Sequence, residues 1–405
     1  MNYHLNQKQQ DASHPDLLEI ISSFAERAYP KHLVCDEKLW EDTINNREVC
    51  LPLSSEEYRR LEELCSENTL PVIIEGRAGS GKSTILVYYT CECLLQEISN
   101  HSCRLLFVTQ SASLLERERA NVTQLLHQRR RECGAHNGSL QADFYTFHEF
   151  ALSQLPPEVC QRYRRRSYYE GWIGFERFRD LLRGATSDGL RDPNGQKLNP
   201  EAVWFTIRSY IKGFRIHHLD ENRWMTPEDY ACGDEVPRED RQVSTELYAK
   251  IWNSVWSWYK RLTIPCEEND WHPLYWDDLD LAWEMMLHRS PDAPDYAVIV
   301  CDEVQDLTRV ELAAMLKTLT WTQYDVTKWG ELHVPVVLVG DAHQTVNPAC
   351  FRWARVRTDV AATLIRHLPN ANIPDVRFIE LKFNYRNAPA IATLCNSVQH
   401  LRQQA

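Results

Sequence analysis

The stretch 72-VIIEGRAGSGKSTILVYY-89 constrains the fold more than any other part of the chain. Gly76, Gly79, Gly81, Lys82 and Ser83 satisfy G-x-x-x-x-G-K-[ST], after an apolar strand and at the opening of a helical pattern, which is the context this spacing requires. Its glycines let backbone N–H groups wrap a chain of phosphates, and the helix that follows turns its partly positive end towards them. Lys82 is placed to neutralise the outer phosphates and the Ser83 hydroxyl to ligate Mg²⁺. Such a loop works only at the C-terminal end of a buried strand, so a parallel sheet has to be built around it.

The rest of the chain supplies that sheet. Besides "PVIIE" (71–75), short β-rich runs occur at "RLLFVT" (104–109), "YAVIVCD" (296–302), "VPVVLVG" (334–340) and "RFIEL" (377–381), separated by helical patterns. This alternation predicts an α/β fold with a parallel sheet and helices on both faces. Asp302 ends one run, which puts its carboxylate at the same sheet edge as the phosphate loop. There Asp302 would hold Mg²⁺ and Glu303 would accept the proton of an attacking water. The gap between the second and third runs is too long for one crossover. It predicts an inserted, mostly helical subdomain over 155–285.

Within that insert, "STELYAKIWNSVWSWYKRL" (244–262) carries Leu247, Ile251, Val255 and Trp258 on one stripe and Tyr248, Trp252 and Trp256 on the next. Aromatic stripes at helical spacing are expected in a core. Residues 1–50 read as a helical extension with no chemistry attached.

At 405 residues, with 43% hydrophobic and 25% charged residues, the chain is long enough for two or three packed units. No apolar run reaches membrane-spanning length and no signal-peptide pattern opens the chain, so a soluble, intracellular protein is expected, cytoplasmic or nuclear. The 13 cysteines show no C-x-x-C pair and are expected as reduced thiols, mostly in cores. A net charge of −12 argues against a nucleic-acid partner, but its distribution does not. Residues 104–183 hold 13 arginines and no lysine against 9 acidic residues, a surplus of +4 that leaves −16 elsewhere. Arginine with interleaved tyrosine, as in "QRYRRRSYYE" (161–170), suits phosphate contact and base stacking, and suits a solvated helix face equally well.

Taken in order, these motifs resemble those of superfamily 1 DNA helicases of the UvrD/Rep group. "DEVQD" (302–306) is similar to that group's D-E-x-Q-D box, "FVTQSASLLERER" (107–119) to the motif after the second strand, and "FYTFHEFA" (144–151) to its T-F-H-S-F segment. "VLVGDAHQTVNP" (337–348) resembles V-G-D-x-x-Q-x-I, and "LKFNYRN" (381–387) resembles L-x-x-N-Y-R-S. The resemblance implies a P-loop, RecA-like domain split into 51–154 and 286–375, with 376–405 opening a second RecA-like domain that the chain lacks. It implies ATP and Mg²⁺ as cofactors, held by Gly76, Arg77, Ala78, Gly79, Ser80, Gly81, Lys82, Ser83 and Thr84, with Tyr385 packed on the adenine. Catalysis would fall to Lys82, Glu303, Gln344 as sensor of the γ-phosphate, and Arg386. Single-stranded or partly duplex DNA would contact Thr109, Ser111, Thr146, Phe147, His148 and Trp353, with 3′–5′ translocation and unwinding.

Several positions depart from the family pattern. Glu57 stands where an adenine-reading glutamine is usual, Thr84 replaces an arginine, and Gln110 replaces a base-stacking phenylalanine. The segment after Gln344 is longer than usual, leaving Phe351 or Trp353 to stack on a base. These departures, the acidic charge and the missing second domain keep a different expectation open. In it, the chain is a nucleotide-dependent switch or binding module that needs a protein partner and does not translocate.

Overall fold

Successive side chains of a strand point to opposite faces, so an uninterrupted apolar run must be covered on both sides. A computed structural model describes residues 53–65, 71–95, 104–133, 141–164, 171–187, 190–191, 195, 197–217, 219, 223–264, 275–320, 336–347, 349–367 and 375–382. Among them, β1 (Val72–Gly76), β2 (Arg104–Thr109), β3 (Gln141–Thr146), β4 (Val298–Cys301), β5 (Val336–Gly340) and β6 (Arg377–Leu381) form one sheet in the order β3-β2-β4-β5-β1-β6. Every neighbouring pair is parallel.

The five expected runs all became strands. β3 was not among them, because Gln141-Ala-Asp-Phe-Tyr-Thr sits at the sheet edge, only half-buried, and lacks a continuous apolar run. Its Asp143 takes two hydrogen bonds from Arg104 of β2, at 2.8 and 2.6 Å. At the other edge β6 pairs with β1, so the sheet continues past residue 375 into the segment assigned by resemblance to a second domain. Residues 1–50 and 383–405, with Tyr385 and Arg386, lie outside the described residues.

The alternation is visible in the two cores. Val72, Ile74, Leu105, Phe107, Val300 and Val339 face one cluster, covered by α1 (Ser55–Cys65), α2 (Lys82–Leu95) and α3 (Ala112–Cys133). Ile73, Leu106, Val108, Ile299, Cys301 and Leu338 face the other. That second face is covered by α4 (Phe147–Ser153), whose buried Phe147 and Phe150 belong to the same cluster. Cys65, Cys91, Cys93, Cys160, Cys232, Cys301 and Cys350 are free thiols, with Cys65 and Cys232 exposed and the other five buried.

Between β3 and β4 the chain is helical: α5 (Pro157–Arg164), α6 (Phe175–Ser187), α7 (Pro200–Thr206), α8 (Pro227–Cys232), α9 (Thr245–Ile251), α10 (Ser257–Thr263) and α11 (Asp278–His288). Wider π-helical turns at Ile207–Lys212 and Trp252–Trp256 follow α7 and α9. The aromatic stripes are core, as expected: Tyr248, Ile251, Val255 and Trp256 are buried, and Leu247, Trp252 and Trp258 pack against them. The outgoing and returning chains are pinned together where the Ser290 amide donates to the Gln154 carbonyl at 2.9 Å. A second tie joins the Ile173 amide to the Trp276 carbonyl at 2.8 Å.

Charges are buried where the insert meets the sheet. Lys212, fully buried, donates to Asp277 Oδ2 at 2.7 Å and Asp280 Oδ1 at 2.6 Å, and the Tyr259 hydroxyl adds a bond to Asp277 at 2.6 Å. Burial and the adjacent Asp277 push the Asp280 carboxyl up, against the opposing pull of the Lys212 ammonium. Arg208 donates to both oxygens of Glu311, on α12 (Arg309–Leu316), at 3.0 and 3.1 Å. A Cβ on Gly213 would lie 2.2 Å from the Arg208 carbonyl and 3.0 Å from Thr308, so only glycine lets the insert backbone close onto the cap of α12.

Candidate active site

The phosphate loop leaves β1 at Gly76 and opens α2 at Lys82. Gly79 and Gly81 adopt φ of 83° and 90°, which side chains resist, and a Cβ on Gly76 would sit 2.3 Å from Ser80 Oγ. Ser80 is buried with its hydroxyl unpartnered. Lys82 Nζ donates to the Gly76 and Arg77 carbonyls at 2.6 and 3.2 Å, holding its ammonium inside the loop. Arg77, Ala78 and Thr84 are half-buried around it.

Ser83 Oγ donates to Asp302 Oδ2 at 2.9 Å, bridging loop and carboxylate strand. Asp302 is buried, and burial followed by the neighbouring Glu303 charge pushes its carboxyl up to about 7. The native state therefore holds a proton that the unfolded chain releases nearer pH 4, and stability falls as pH rises through that window. Without Mg²⁺ or nucleotide, Asp302→Asn is expected to melt higher than the parent at pH 8, by roughly 1 °C per kcal/mol relieved for a chain of this length, with the gap closing towards pH 4. Thermal melts at the two pH values check this.

Glu303 is one of two non-glycine residues with positive φ among the described residues, at 55°. A left-handed glutamate costs on the order of 1–2 kcal/mol, and it turns the side chain out of the strand line. Its Oε2 accepts from Gln305 Nε2 at 2.5 Å, while Gln305 Oε1 accepts the Asp341 amide at 3.0 Å. Asp341 Oδ2 in turn accepts from Gln344 Nε2 at 2.5 Å. Gln305 thus ties Glu303 to the Asp341–Gln344 turn. β5 lies between β1 and β4, which carries that turn to a place between phosphate loop and carboxylates. Asp306 fixes the next residues, its Oδ1 accepting the Val346 and Asn347 amides at 2.7 and 2.9 Å.

Gln305, Asp306 and Asp341 had no role in the sequence reading. Their signal was there: each is a polar residue inside or beside an apolar run, and all three are buried.

These residues fit a Mg²⁺–nucleotide. The cradle excludes a Cβ, one buried hydroxyl awaits a partner, a buried ammonium is already in place, and a hydroxyl and a carboxylate meet at 2.9 Å. The Glu57 carboxylate accepts the Ser54 amide at 2.8 Å, and the Ser54 hydroxyl accepts the Glu57 amide at 3.3 Å. This reciprocal cap at the start of α1 engages the group that departs from the family pattern.

The residues named for DNA divide. Thr109 and Thr146 are register partners at the ends of β2 and β3, and Ser111 is exposed beside them, but Thr109 is a correction: it is fully buried and presents no surface to DNA. Thr146 caps α4 through Glu149, and the His148 ring stacks on Trp276 at 4.8 Å. Phe147 is a correction: it is fully buried against Phe150 and has no face for a base. Its spacing within T-F-H-E-F reflects the core side of α4. Trp353 opens α13 (Trp353–His367), half-buried, with its ring edge-on to Phe351 at 4.7 Å and to Phe378 of β6 at 5.8 Å. Four strand spacings separate β2 from β6, roughly 19 Å. A single strand touching both groups would have to cross the sheet's end.

A parallel sheet with a phosphate loop on one strand and acidic residues two strands away defines a P-loop nucleotide-binding fold of RecA-like type. The family described as UvrD/REP helicase N-terminal domain matches residues 59–359, and the chain belongs to it. Among curated proteins no match to the chain is found. Membership gives the chain a helicase ATP-binding domain. No helix among the described residues is long and apolar enough to cross a membrane.

Proposed function

We propose that this chain binds Mg²⁺·ATP on the 76–83 loop and hydrolyses it to drive 3′–5′ movement along single-stranded DNA. The 2.9 Å contact between Ser83 and Asp302 carries the reading, because it joins phosphate loop and acidic strand in one place. Ser83 and Asp302 would hold Mg²⁺, which when bound neutralises charge on the phosphates.

The remaining chemistry belongs to the chain's own groups. Lys82 leaves the Gly76 and Arg77 carbonyls for the outer phosphates. Glu303, oriented by Gln305, takes the proton of the attacking water. Gln344 releases Asp341 and aligns that water, and Arg386 adds positive charge to the phosphoryl group in flight. DNA contacts fall to Ser111, Thr146, His148 and Trp353, with Gln110 beside them.

The test is ATP hydrolysis by the 405-residue chain with and without a single-stranded oligonucleotide. Glu303→Gln should lower turnover about 10²–10⁴-fold while a non-hydrolysable analogue still binds. The logarithm of oligonucleotide affinity should fall linearly with log salt. Hydrolysis with no salt-dependent oligonucleotide binding would instead favour a nucleotide-dependent switch.

A further inference from the structure

The loop after Gln344 is held from two sides. Asp306 grips Val346 and Asn347, and the insert grips the residues beyond. Asp240 Oδ1 pairs with Arg352 Nη1 at 2.8 Å, and Asp240 Oδ2 pairs with Arg355 Nη2. The Asp240 carbonyl accepts from the Tyr210 hydroxyl at 3.1 Å, and the Cys350 thiol donates to that hydroxyl oxygen at 3.3 Å. Arg355 Nη1 returns to the Cys350 carbonyl at 3.0 Å, and its guanidinium lies 4.7 Å from the ring of Phe214, which Arg309 also approaches at 4.5 Å. Tyr210, Phe214 and Asp240 all belong to the insert. Arg309, Cys350, Arg352 and Arg355 belong to the sheet's own connections.

Cys350 adopts φ of 49°. A non-glycine residue holds that conformation, at on the order of 1–3 kcal/mol, only where its surroundings over-determine it. Here the surroundings are Tyr210, Asp240 and Arg355. The loop's backbone path is therefore set by the insert as much as by the sheet.

We propose that Asp240 is a positioning residue for Gln344, an insert side chain that fixes the sensor loop through Arg352, Arg355 and Cys350. The proposal rests on the role given above to Gln344. Gln344 must leave Asp341 to meet a γ-phosphate, and its reach depends on where residues 344–350 are held. Displacement of about 1 Å there is enough to cost a large factor in rate without altering the phosphate loop.

Asp240→Asn keeps the shape and removes the charge that holds two guanidinium groups. Amide hydrogen exchange at 344–350, measured without nucleotide, should quicken about tenfold in this variant. The kcat for ATP should fall about tenfold while KM stays within about twofold. Arg352→Gln, at a side chain 45% exposed, should shift both readouts in the same direction, and the double variant should be no worse than the stronger single one. Arg357→Gln, on the helix that also carries Arg355, breaks an exposed pair with Asp375 and should change neither. Unchanged exchange at 344–350 in Asp240→Asn, a loss confined to KM, or an equal loss in Arg357→Gln would overturn the proposal. If Asp240→Asn does not fold, the exchange result for Arg352→Gln decides. If the parent hydrolyses no ATP, the proposed function fails, and the exchange measurement still judges the clamp.

Discussion

Lys82→Ala is expected to lower ATP hydrolysis about 10²–10³-fold, the loss that follows when one preorganised charge facing a transferred phosphoryl group is removed. Lys82 is only 6% exposed and is already anchored on the Gly76 and Arg77 carbonyls. Its ammonium needs only a short swing to reach the outer phosphates, so little ordering is left to be done when nucleotide arrives. Alanine removes the charge and leaves two carbonyls short of a donor, so nucleotide affinity should drop along with turnover. Glu303→Gln should spare affinity, and this contrast separates phosphate binding from water activation. Steady-state hydrolysis and analogue titration on both variants make the comparison. Turnover within threefold of the parent in Lys82→Ala would place hydrolysis somewhere other than this loop.

Lys212→Met should produce the largest loss of stability, about 3–5 kcal/mol, because it leaves Asp277 and Asp280 buried with no cation bonded to them. The side chain has no exposed surface through which water could compensate. Asp280→Asn should cost much less, since Lys212 keeps its bond to Asp277 and no buried carboxylate is left without its cation. Combining Lys212→Met with Asp277→Asn and Asp280→Asn should recover part of the loss, as an apolar replacement of a whole buried group often does. Urea unfolding of the four proteins tests the series. A loss below about 1 kcal/mol in Lys212→Met, the level of an exposed pair, would show that the cluster is wet.

The phosphate loop and the five apolar runs were legible because each is local. Glycine at fixed offsets, a strand before and a helix after lie within eighteen residues of one another. Asp302 was legible for the same reason, as a carboxylate ending a run of buried residues. What could not be read required long-range pairing. Gln305 meets Asp341 across 36 positions, and Arg355 meets Asp240 across 115. Neither separation leaves a periodicity. Phe147 was misread because its motif was taken as one surface, whereas α4 turns Phe147 and Phe150 inward and Thr146 to the sheet's end. β3 escaped because an edge strand has one open side and can carry Gln141 and Asp143.

The sheet order also sets a timetable for assembly. β1, which carries the phosphate loop, bonds only to β5 and β6, and not to β2 or β3, which follow it in the chain. Ribosomes add about 5–20 residues per second, so roughly 13–50 s pass between the emergence of β1 and that of its first partner. Throughout that interval Val72, Ile73 and Ile74 have no strand beside them. The nucleotide site is therefore among the last parts of this fold to form, and a nascent chain paused before β5 should expose an apolar strand that chaperones can bind.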